Sequence, residues 1–300
     1  MIAHQHSHIL FRQRAASAGG ALRVTLVITG LFMLVEAAAG WFANSLALLA
    51  DAGHMFTDVT ALAVCLVAAR LVALPATRRM TYGYYRLEIL AALINGVLLL
   101  GITGWIVLEA VQRIGHPVPV RSIPMLLVAI AGLLVNLGAF LLLRRASGSL
   151  NIRGAMMHVL SDAGGSVATI LAALVIILTG WTAADPLISV VIAGLIVIAG
   201  IRLISEAITV LMEATPAHLS LAEIEEAMRA APGVRGVHDL HAWTVTSGLH
   251  ALSAHVIVDT PGRAEETLAL LKDLLLERFD LVHTTLQLES ETFAEVKGHV

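Results

Sequence analysis

The sequence is poor in charged side chains, in aromatic side chains and in cysteine. Only 14% of its 300 residues are charged and 5% are aromatic, whereas 58% are hydrophobic, and the mean hydropathy is +0.85. An ordinary soluble domain carries about 25% charged residues and is about half apolar. The composition therefore excludes an ordinary soluble chain and predicts a protein that lies mainly in a lipid bilayer.

The chain also lacks the residues that several functions need. Its single cysteine, Cys65, lies in a hydrophobic stretch, so neither an in-chain disulfide nor a thiolate zinc cluster can form. Any metal site must use His, Asp and Glu. The formal net charge of −3 offers no basic surface to a phosphate backbone, and no nucleic-acid-binding motif is present. We therefore expect no nucleic acid among the partners.

Hydrophobic stretches long enough to cross a membrane fill the first two thirds of the chain. A span needs about 20 apolar residues, and six such stretches are predicted, at 22–42, 45–69, 87–110, 123–143, 154–179 and 186–211. The first is longer than a signal-peptide core of about 7 to 15 residues, so we expect it to be retained. The sequence predicts a six-helix, all-α membrane bundle.

The arginines near the span ends predict the orientation, because cytoplasmic connections are enriched in Lys and Arg. Two arginines fall on one side, Arg113 and Arg121, and ten fall on the other: Arg12, Arg14, Arg23, Arg70, Arg78, Arg79, Arg86, Arg144, Arg145 and Arg153. Both termini are therefore predicted to be cytoplasmic. We expect a multi-pass protein of the inner (plasma) membrane, with a His-bearing tail at 1–21, a transport domain at 22–213 and a cytoplasmic domain at 214–300.

The pattern changes after Thr215. Residues 219–231 and 263–279 have helical spacing, and residues 234–246, 249–259 and 281–289 alternate as strands, with a hairpin at Ser247-Gly248. The order α-β-β-α-β predicts a small C-terminal α+β domain of the ferredoxin-like type.

Two predicted spans repeat one ionisable motif. Span two carries His54 and Asp58, and span five carries His158 and Asp162, each pair separated by four residues on one helix face. An Asp at mid-span costs about 2.5 to 3.5 kcal/mol on insertion scales, and two imidazoles with two carboxylates match what tetrahedral zinc accepts. One pair alone is equally explained as a packed, hydrogen-bonded contact, but two copies favour a metal site near the midplane.

Other polar residues in the spans allow simpler explanations. Asp51 shares the face of His54, and it is either a cap or vestibule residue or a further ligand. The remaining ones are expected to form interhelical hydrogen bonds or to lie at span ends, namely Glu36, Asn95, Glu109, Asn136 and Glu206.

Several segments together resemble one family. The doubled motif (SLALLADAGHMFTD and AMMHVLSD), the segment YGYYRLEILAALING and the tail strands VHDLHAW, SAHVIV and TLQLE are similar to the cation diffusion facilitator family, and most to its zinc-exporting branch. The resemblance implies a homodimeric, proton-coupled exporter of divalent metal that works by alternating access. Because members with Asp in place of the first His tend to prefer other metals, His54 favours zinc, with cadmium as a further substrate.

The resemblance also implies ligands in the tail. It places them at His238, His255 and Glu289, with Gln287 nearby, and the zinc bound there is expected to be regulatory. His283 lies six residues from Glu289, about 20 Å along an extended strand, so it serves a second ion or none. His241 and His250 are expected to be surface or packing residues.

Metal-binding segments found in some members are absent. The connections 70–79 and 144–153 contain no His, Cys, Asp or Glu, so we expect no metal site there. His4, His6 and His8 either collect zinc loosely or belong to a disordered tail without ligand function.

Metal and protons are expected to compete for the motif residues, because neutral imidazole and ionised carboxylate bind metal and their protonated forms do not.

Two rival functions follow from the same residues. An intramembrane metalloenzyme lacks support, since no HExxH and no placed nucleophile accompanies the motifs. The second rival function is that of a membrane metal sensor or binding scaffold that does not transport. For the transport function itself, cadmium, cobalt, nickel or manganese are alternative main substrates.

Overall fold

The computed structural model describes residues 26–71, 78, 80, 81, 83–145, 150–246, 248–259 and 261–290. For some helical residues, among them His158, the description covers the backbone alone. The expectations for His4, His6 and His8 lie outside the described residues. The described residues fall into two compact units, one of 26–70 with 91–204 and one of 71–90 with 205–290.

Six long helices occupy the positions of the predicted spans. Their bounds are Leu26–Ala43 (α1), Leu46–Leu71 (α2), Leu87–Gly115 (α3), Ser122–Arg145 (α4), Leu150–Thr179 (α5) and Ala184–Leu211 (α6). Five of them, α1 and α3 to α6, are long and apolar enough to cross a membrane, so the protein is a multi-pass membrane protein. α2 has 26 residues but is not one of the five, and the sixth span stays a prediction.

Small residues form much of the interior of the first unit, while large apolar side chains face outward. Ala43, Ala47 and Ala50 are fully buried, whereas Leu134, Leu178 and Ile198 are largely exposed. This distribution of side chains is the reverse of that in a soluble protein. It suits a lipid environment, where small residues let helix backbones approach closely.

The glycines of α3 and α6 show how close that approach is. A Cβ at Gly96 would lie 2.7 Å from Cγ1 of Ile204, and one at Gly200 would lie 2.9 Å from Cδ2 of Leu100. Such distances leave no room for a methyl group, so these two glycines set the separation of the two helices.

A buried aspartate fixes the start of α2. Asp185, at the first turn of α6, is fully buried and accepts hydrogen bonds from the Ser45 hydroxyl at 2.6 Å, from the Leu46 amide at 2.7 Å and from the Ala47 amide at 3.2 Å. The first amides of a helix have no partner within it, and a carboxylate at this end also interacts favourably with the helix dipole. Asp185 therefore caps α2 from a neighbouring helix.

The second unit contains the α+β domain in the predicted order. It consists of α7 (Leu221–Arg229), β1 (Val234–Thr246), β2 (Leu249–Val258), α8 (Ala264–Phe279) and β3 (His283–Ser290), with a short 3₁₀ turn, Pro261–Arg263, before α8. Ser220 begins α7 by accepting a hydrogen bond from the Glu223 amide. The α-β-β-α-β prediction is confirmed within the described residues.

The sheet places β2 in the middle. β1 pairs with β2 in antiparallel register, and β2 pairs with β3 in parallel register, so α8 serves as the crossover between parallel strands. The core lies between one face of the sheet and the helices and is formed by residues that include Ile224, Met228, Leu252, Leu271 and Leu275. The opposite, polar face of the sheet carries His238, His255, Gln287 and Glu289.

Candidate metal centres

The two repeated motifs contribute side chains that meet between α2 and α5. Nε2 of His54 lies 3.3 Å from Oδ1 of Asp162, and both side chains are about one fifth exposed, at 22% and 19%. Two ligands of a tetrahedral zinc ion with bonds of about 2.0–2.1 Å lie about 3.3 Å apart. One residue of each motif therefore already lies at a separation that a shared ion requires.

The other two motif residues are described less fully. Asp58 lies one turn after His54 on α2 and is half-buried, and the backbone of His158 lies one turn before Asp162 on α5. The side chain of His158 is outside the described part of the chain. The structure thus brings His54 and Asp162 together and leaves the geometry of the complete set of four as a prediction.

Asp51 does not lie at the start of α2, where a capping residue would be. Its side chain is buried in the second turn of α2, and a Cβ at Gly165 of α5 would lie 3.7 Å from its Oδ1. Because Asp185 binds the first amides of α2, the cap interpretation of Asp51 is wrong. The hydrogen bonds that identify the cap join residues about 140 positions apart, which no local pattern reveals.

Three tail residues form a compact cluster on the polar face of the sheet. Nε2 of His238 lies 3.0 Å from Oε2 of Glu289, and Nδ1 of His255 lies 2.9 Å from Oε1 of Glu289. The potential ligand atoms of the three residues all lie within 4.8 Å of one another. Among the described residues this is the one group of three or more His, Cys, Asp or Glu that could hold a metal ion.

Strand register explains the cluster. His238 of β1 is the direct partner of His255 of β2, and His255 is in turn the partner of Gln287 of β3. Residues two apart on a strand share a face, so Glu289 joins the same face one step beyond Gln287. The sequence predicted these residues as ligands from a resemblance, and the register supplies the physical reason that they converge.

Glu289 is the central and most buried member. It is 2% exposed, and the amide of Gln287 donates a hydrogen bond of 2.8 Å to its Oε1. A buried carboxylate needs partners for its charge, and two imidazoles and an amide meet that need. Histidine nitrogens and a carboxylate oxygen are ligands that zinc prefers, and three protein ligands leave a fourth position for water or another donor. The donor set therefore fits a divalent metal.

The structure adds Asp239, which the sequence interpretation missed. Its Oδ2 lies 3.7 Å from Nε2 of His255, and its Oδ1 lies 2.9 Å from Nε2 of His241. That hydrogen bond to His241 lowers the pKa of the exposed Asp239 carboxyl below its usual value. Asp239 has a φ of 49°, at an irregularity in the β1 and β2 register, and this turns its side chain toward the cluster. The available signal was its position between two histidines in VHDLHAW.

The remaining tail histidines lie apart from this cluster. His283, the start of β3, is exposed and pairs in register with Ala251, so it is at the opposite end of the strand from Glu289. His250 packs against His218 with ring centroids 4.8 Å apart, and its Nδ1 lies 3.1 Å from the Thr244 hydroxyl. Burial and the neighbouring His218 lower the pKa of His250 below 6.5.

Almost the whole chain is similar to metal transport proteins. Residues 22–212 match the family described as the cation efflux transmembrane domain, and residues 216–291 match the cation efflux protein cytoplasmic domain. The chain is 41% identical to a cadmium, cobalt and zinc/H(+)-K(+) antiporter of Bacillus velezensis, over 96% of this chain and 92% of that protein. It is 40% identical to the zinc transporter ZitB of Escherichia coli, over 96% of this chain and 93% of that protein.

A solved structure is also similar to the tail. The metal-bound C-terminal domain of the CzcD transporter from Cupriavidus metallidurans is 44% identical, with coverage of 24% of this chain and 99% of that domain and a TM-score of 0.23.

The apolar helices and the two matching domains define the class of this protein. It is a multi-pass membrane transporter of metal cations rather than an enzyme. The chain belongs to the cation diffusion facilitator, or cation efflux, family, and the family resemblance inferred from the motifs is confirmed.

Proposed function

We propose that this chain exports zinc in exchange for protons, through an intramembrane site formed by His54, Asp58, His158 and Asp162. The observation that carries the proposal is the 3.3 Å contact between His54 on α2 and Asp162 on α5. It joins one residue of each repeated motif across two helices, as a shared tetrahedral ion would require.

The chemistry of these side chains supports coupling to protons. Imidazole and carboxylate bind zinc only after losing their protons, so zinc binding releases protons and acid displaces zinc. An unperturbed imidazole has a pKa of about 6.5, so a site open to neutral cytosol loads metal and a site open to a more acidic exterior releases it. A site without thiolate ligands suits moderate affinity. Micromolar binding corresponds to about −8.2 kcal/mol, and at that affinity the ion can still leave.

The proposed transport requires α2 to be the sixth span. Its 26 residues exceed the about 20 that a bilayer needs, and its ionisable residues His54 and Asp58 are those of the proposed site. Six spans with the arginines concentrated on one side support the proposal that both termini are cytoplasmic and that the protein lies in the inner (plasma) membrane.

The cluster of His238, His255 and Glu289 is proposed to bind regulatory zinc in the cytoplasmic domain. The contacts of Glu289 with both imidazoles at 2.9 and 3.0 Å support it, because small movements would replace these contacts by metal bonds. We propose that the chain acts as a homodimer and that zinc in this cluster tightens the association. Equal dimer affinity of the full chain with and without zinc would contradict the second statement.

Flux into proteoliposomes tests the transport site. A pH gradient is expected to drive zinc uptake by the unmodified chain. Because loss of a supporting residue near a metal already costs about 10-fold to 100-fold in affinity or activity, Asp162→Asn is expected to lower the rate by at least about 100-fold. Glu206→Gln, the same type of change on an exposed carboxyl of α6, is the matched control. Unchanged flux in Asp162→Asn would refute the assigned site.

The substrate is tested in the same vesicles. Zinc and cadmium are expected to be transported, and cobalt, nickel and manganese less well, since a His-containing site with carboxylates suits zinc. Faster transport of manganese than of zinc would refute the substrate assignment.

A further inference from the structure

A buried carboxyl that the proposed metal site does not use lies where α1, α4 and α5 meet. Glu36, in the middle of α1, is 1% exposed. Its Oε2 has no hydrogen-bond partner among the residues that the structure describes. An isolated carboxylate is costly to bury, so such a group requires either a bound proton or a bound cation.

A glycine of α4 shows what Glu36 points toward. A Cβ at Gly132 would lie 3.2 Å from Oε1 of Glu36 and 3.3 Å from the hydroxyl oxygen of Ser166 on α5. The Ser166 side chain is 1% exposed, and its hydroxyl also has no hydrogen-bond partner within the described ranges. A carboxyl and a hydroxyl, both buried and both short of partners, therefore converge on one notch in α4.

The charged groups that interact with Glu36 are Asp51 of α2 and Asp162 of α5. Both are acidic, and no arginine or lysine pairs with Glu36 among the described residues. Acids that lie close together in a low-dielectric interior do not all ionise unless a cation joins them. One carboxyl oxygen and one hydroxyl are too few donors for a metal ion, which takes four or more ligands, whereas a proton needs only the carboxyl.

We infer that Glu36 is a proton-binding site of the exchange cycle that is distinct from the metal ligands. In one state Glu36 is a neutral COOH group, and in the other it is a carboxylate that accepts a hydrogen bond from the Ser166 hydroxyl, with one H⁺ released per cycle and no other bond changed. This inference rests on the proposed zinc/proton exchange.

The coupling is electrostatic. A divalent cation at His54 and Asp162 places positive charge near Glu36, which favours the carboxylate and expels its proton. Reprotonation of Glu36 from the acidic side removes the negative charge and weakens the hold on the metal. Glu36 thereby adds to the protons that the metal ligands themselves exchange.

The test compares zinc binding with proton release. Glu36→Gln keeps the shape of the side chain but cannot release a proton. In the purified full-length chain at pH 7.5 we expect its zinc affinity to fall by about tenfold or more, because the amide stays as neutral as the protonated acid, while the number of protons released per zinc, measured with a pH dye, falls by about one. In proteoliposomes the pH gradient is then expected to accelerate zinc flux less. Glu206→Gln is the matched control and is expected to change neither quantity.

Two further variants keep the test decisive if Glu36→Gln does not fold. Ser166→Ala removes the hydroxyl, and Gly132→Ala places a methyl group within 3.3 Å of both oxygens; each is expected to shift the pH dependence of proton release. Gly138→Ala, on the same helix with nothing within 4 Å, is the control for Gly132→Ala and is expected to have no effect.

The outcomes separate this inference from the transport proposal. An unmodified chain that transports zinc with no proton counterflow refutes the proton coupling and this inference with it. Normal coupling in the unmodified chain, together with the same proton count in Glu36→Gln or the same pH dependence in Ser166→Ala and Gly132→Ala, refutes the Glu36 site alone.

Discussion

Replacement of Glu289 by glutamine is expected to weaken zinc binding by the cytoplasmic domain strongly. The carboxylate oxygens lie 2.9 and 3.0 Å from the nitrogens of His255 and His238, and tetrahedral zinc holds its ligands about 3.3 Å apart. Each carboxylate–imidazole pair therefore needs to separate by only about 0.3 to 0.4 Å to reach that spacing. A preorganised site of this kind loses its one negative ligand when the carboxylate becomes an amide.

The expected size of the effect follows from ligand loss. Affinity is expected to fall by at least about 100-fold, which corresponds to about 2.7 kcal/mol. At a zinc concentration about 100 times the dissociation constant, zinc stabilises the unmodified domain by about 2.7 kcal/mol. At the same concentration Glu289→Gln gains about 0.4 kcal/mol if its affinity is 100-fold weaker.

The assay is zinc titration against a chelator, together with thermal unfolding, in a full-length chain that also carries Asp58→Asn and Asp162→Asn. These two changes remove the proposed intramembrane site from the measurement. His283→Gln alters an exposed histidine at the other end of β3 and is expected to leave the titration unchanged. If Glu289→Gln binds zinc as tightly as its parent, or if His283→Gln is the weaker binder, the cluster is not the tail metal site.

Three further outcomes are expected. Asp185→Asn weakens the charge-assisted hydrogen bonds that cap α2 and is expected to lower the free energy of unfolding by about 1.5 to 3 kcal/mol, measured by thermal unfolding in detergent; an unchanged transition would contradict the cap. Gly96→Ala forces a methyl group to within 2.7 Å of the Ile204 side chain and is expected to lower the free energy of unfolding by about 1 to 3 kcal/mol. Gly104→Ala, with nothing within 4 Å, is the control and is expected to be neutral. Equal melting temperatures of the two variants would show that the helices adjust freely. Burial and a neighbouring imidazole lower the pKa of His250, so its contribution to stability is complete above pH 6.5 and decreases as the pH falls below that value. His250→Gln is expected to flatten this part of the pH profile of melting temperature. An identical profile would refute the role of His250 in this pH dependence.

Local patterns in the sequence were sufficient for the helices and strands. Hydropathy and length predicted the six long helices, and alternation predicted the three strands, because both are properties of neighbouring residues. The predicted ends of the helices were less accurate. α3 continues to Gly115, beyond the predicted 110, and α5 begins at Leu150, before the predicted 154, since polar residues extend these helices past their apolar stretches.

Contacts between distant residues set the limit of the sequence interpretation. Asp185 was not recognised as a cap, because its partners on α2 are about 140 residues away. Asp239 was not recognised as a neighbour of His255, because an irregular register and a φ of 49° turn it there. Glu36 was expected to form an interhelical hydrogen bond or to lie at a span end, whereas it lies in the middle of α1 and its Oε2 lacks a hydrogen-bond partner among the described residues. Each of these depends on packing rather than on spacing.

The cap on α2 restricts how the helix that carries His54 moves. With its first turn held to α6 by Asp185, α2 is expected to rotate about that end and not to slide along its own axis. His54 lies eight residues from Leu46, about 12 Å along the helix, so a swing of about 10° carries its backbone sideways by about 2 Å. That displacement is about the length of one zinc–ligand bond, about 2 Å, so a rotation of this size is expected to open the coordination shell of the proposed site.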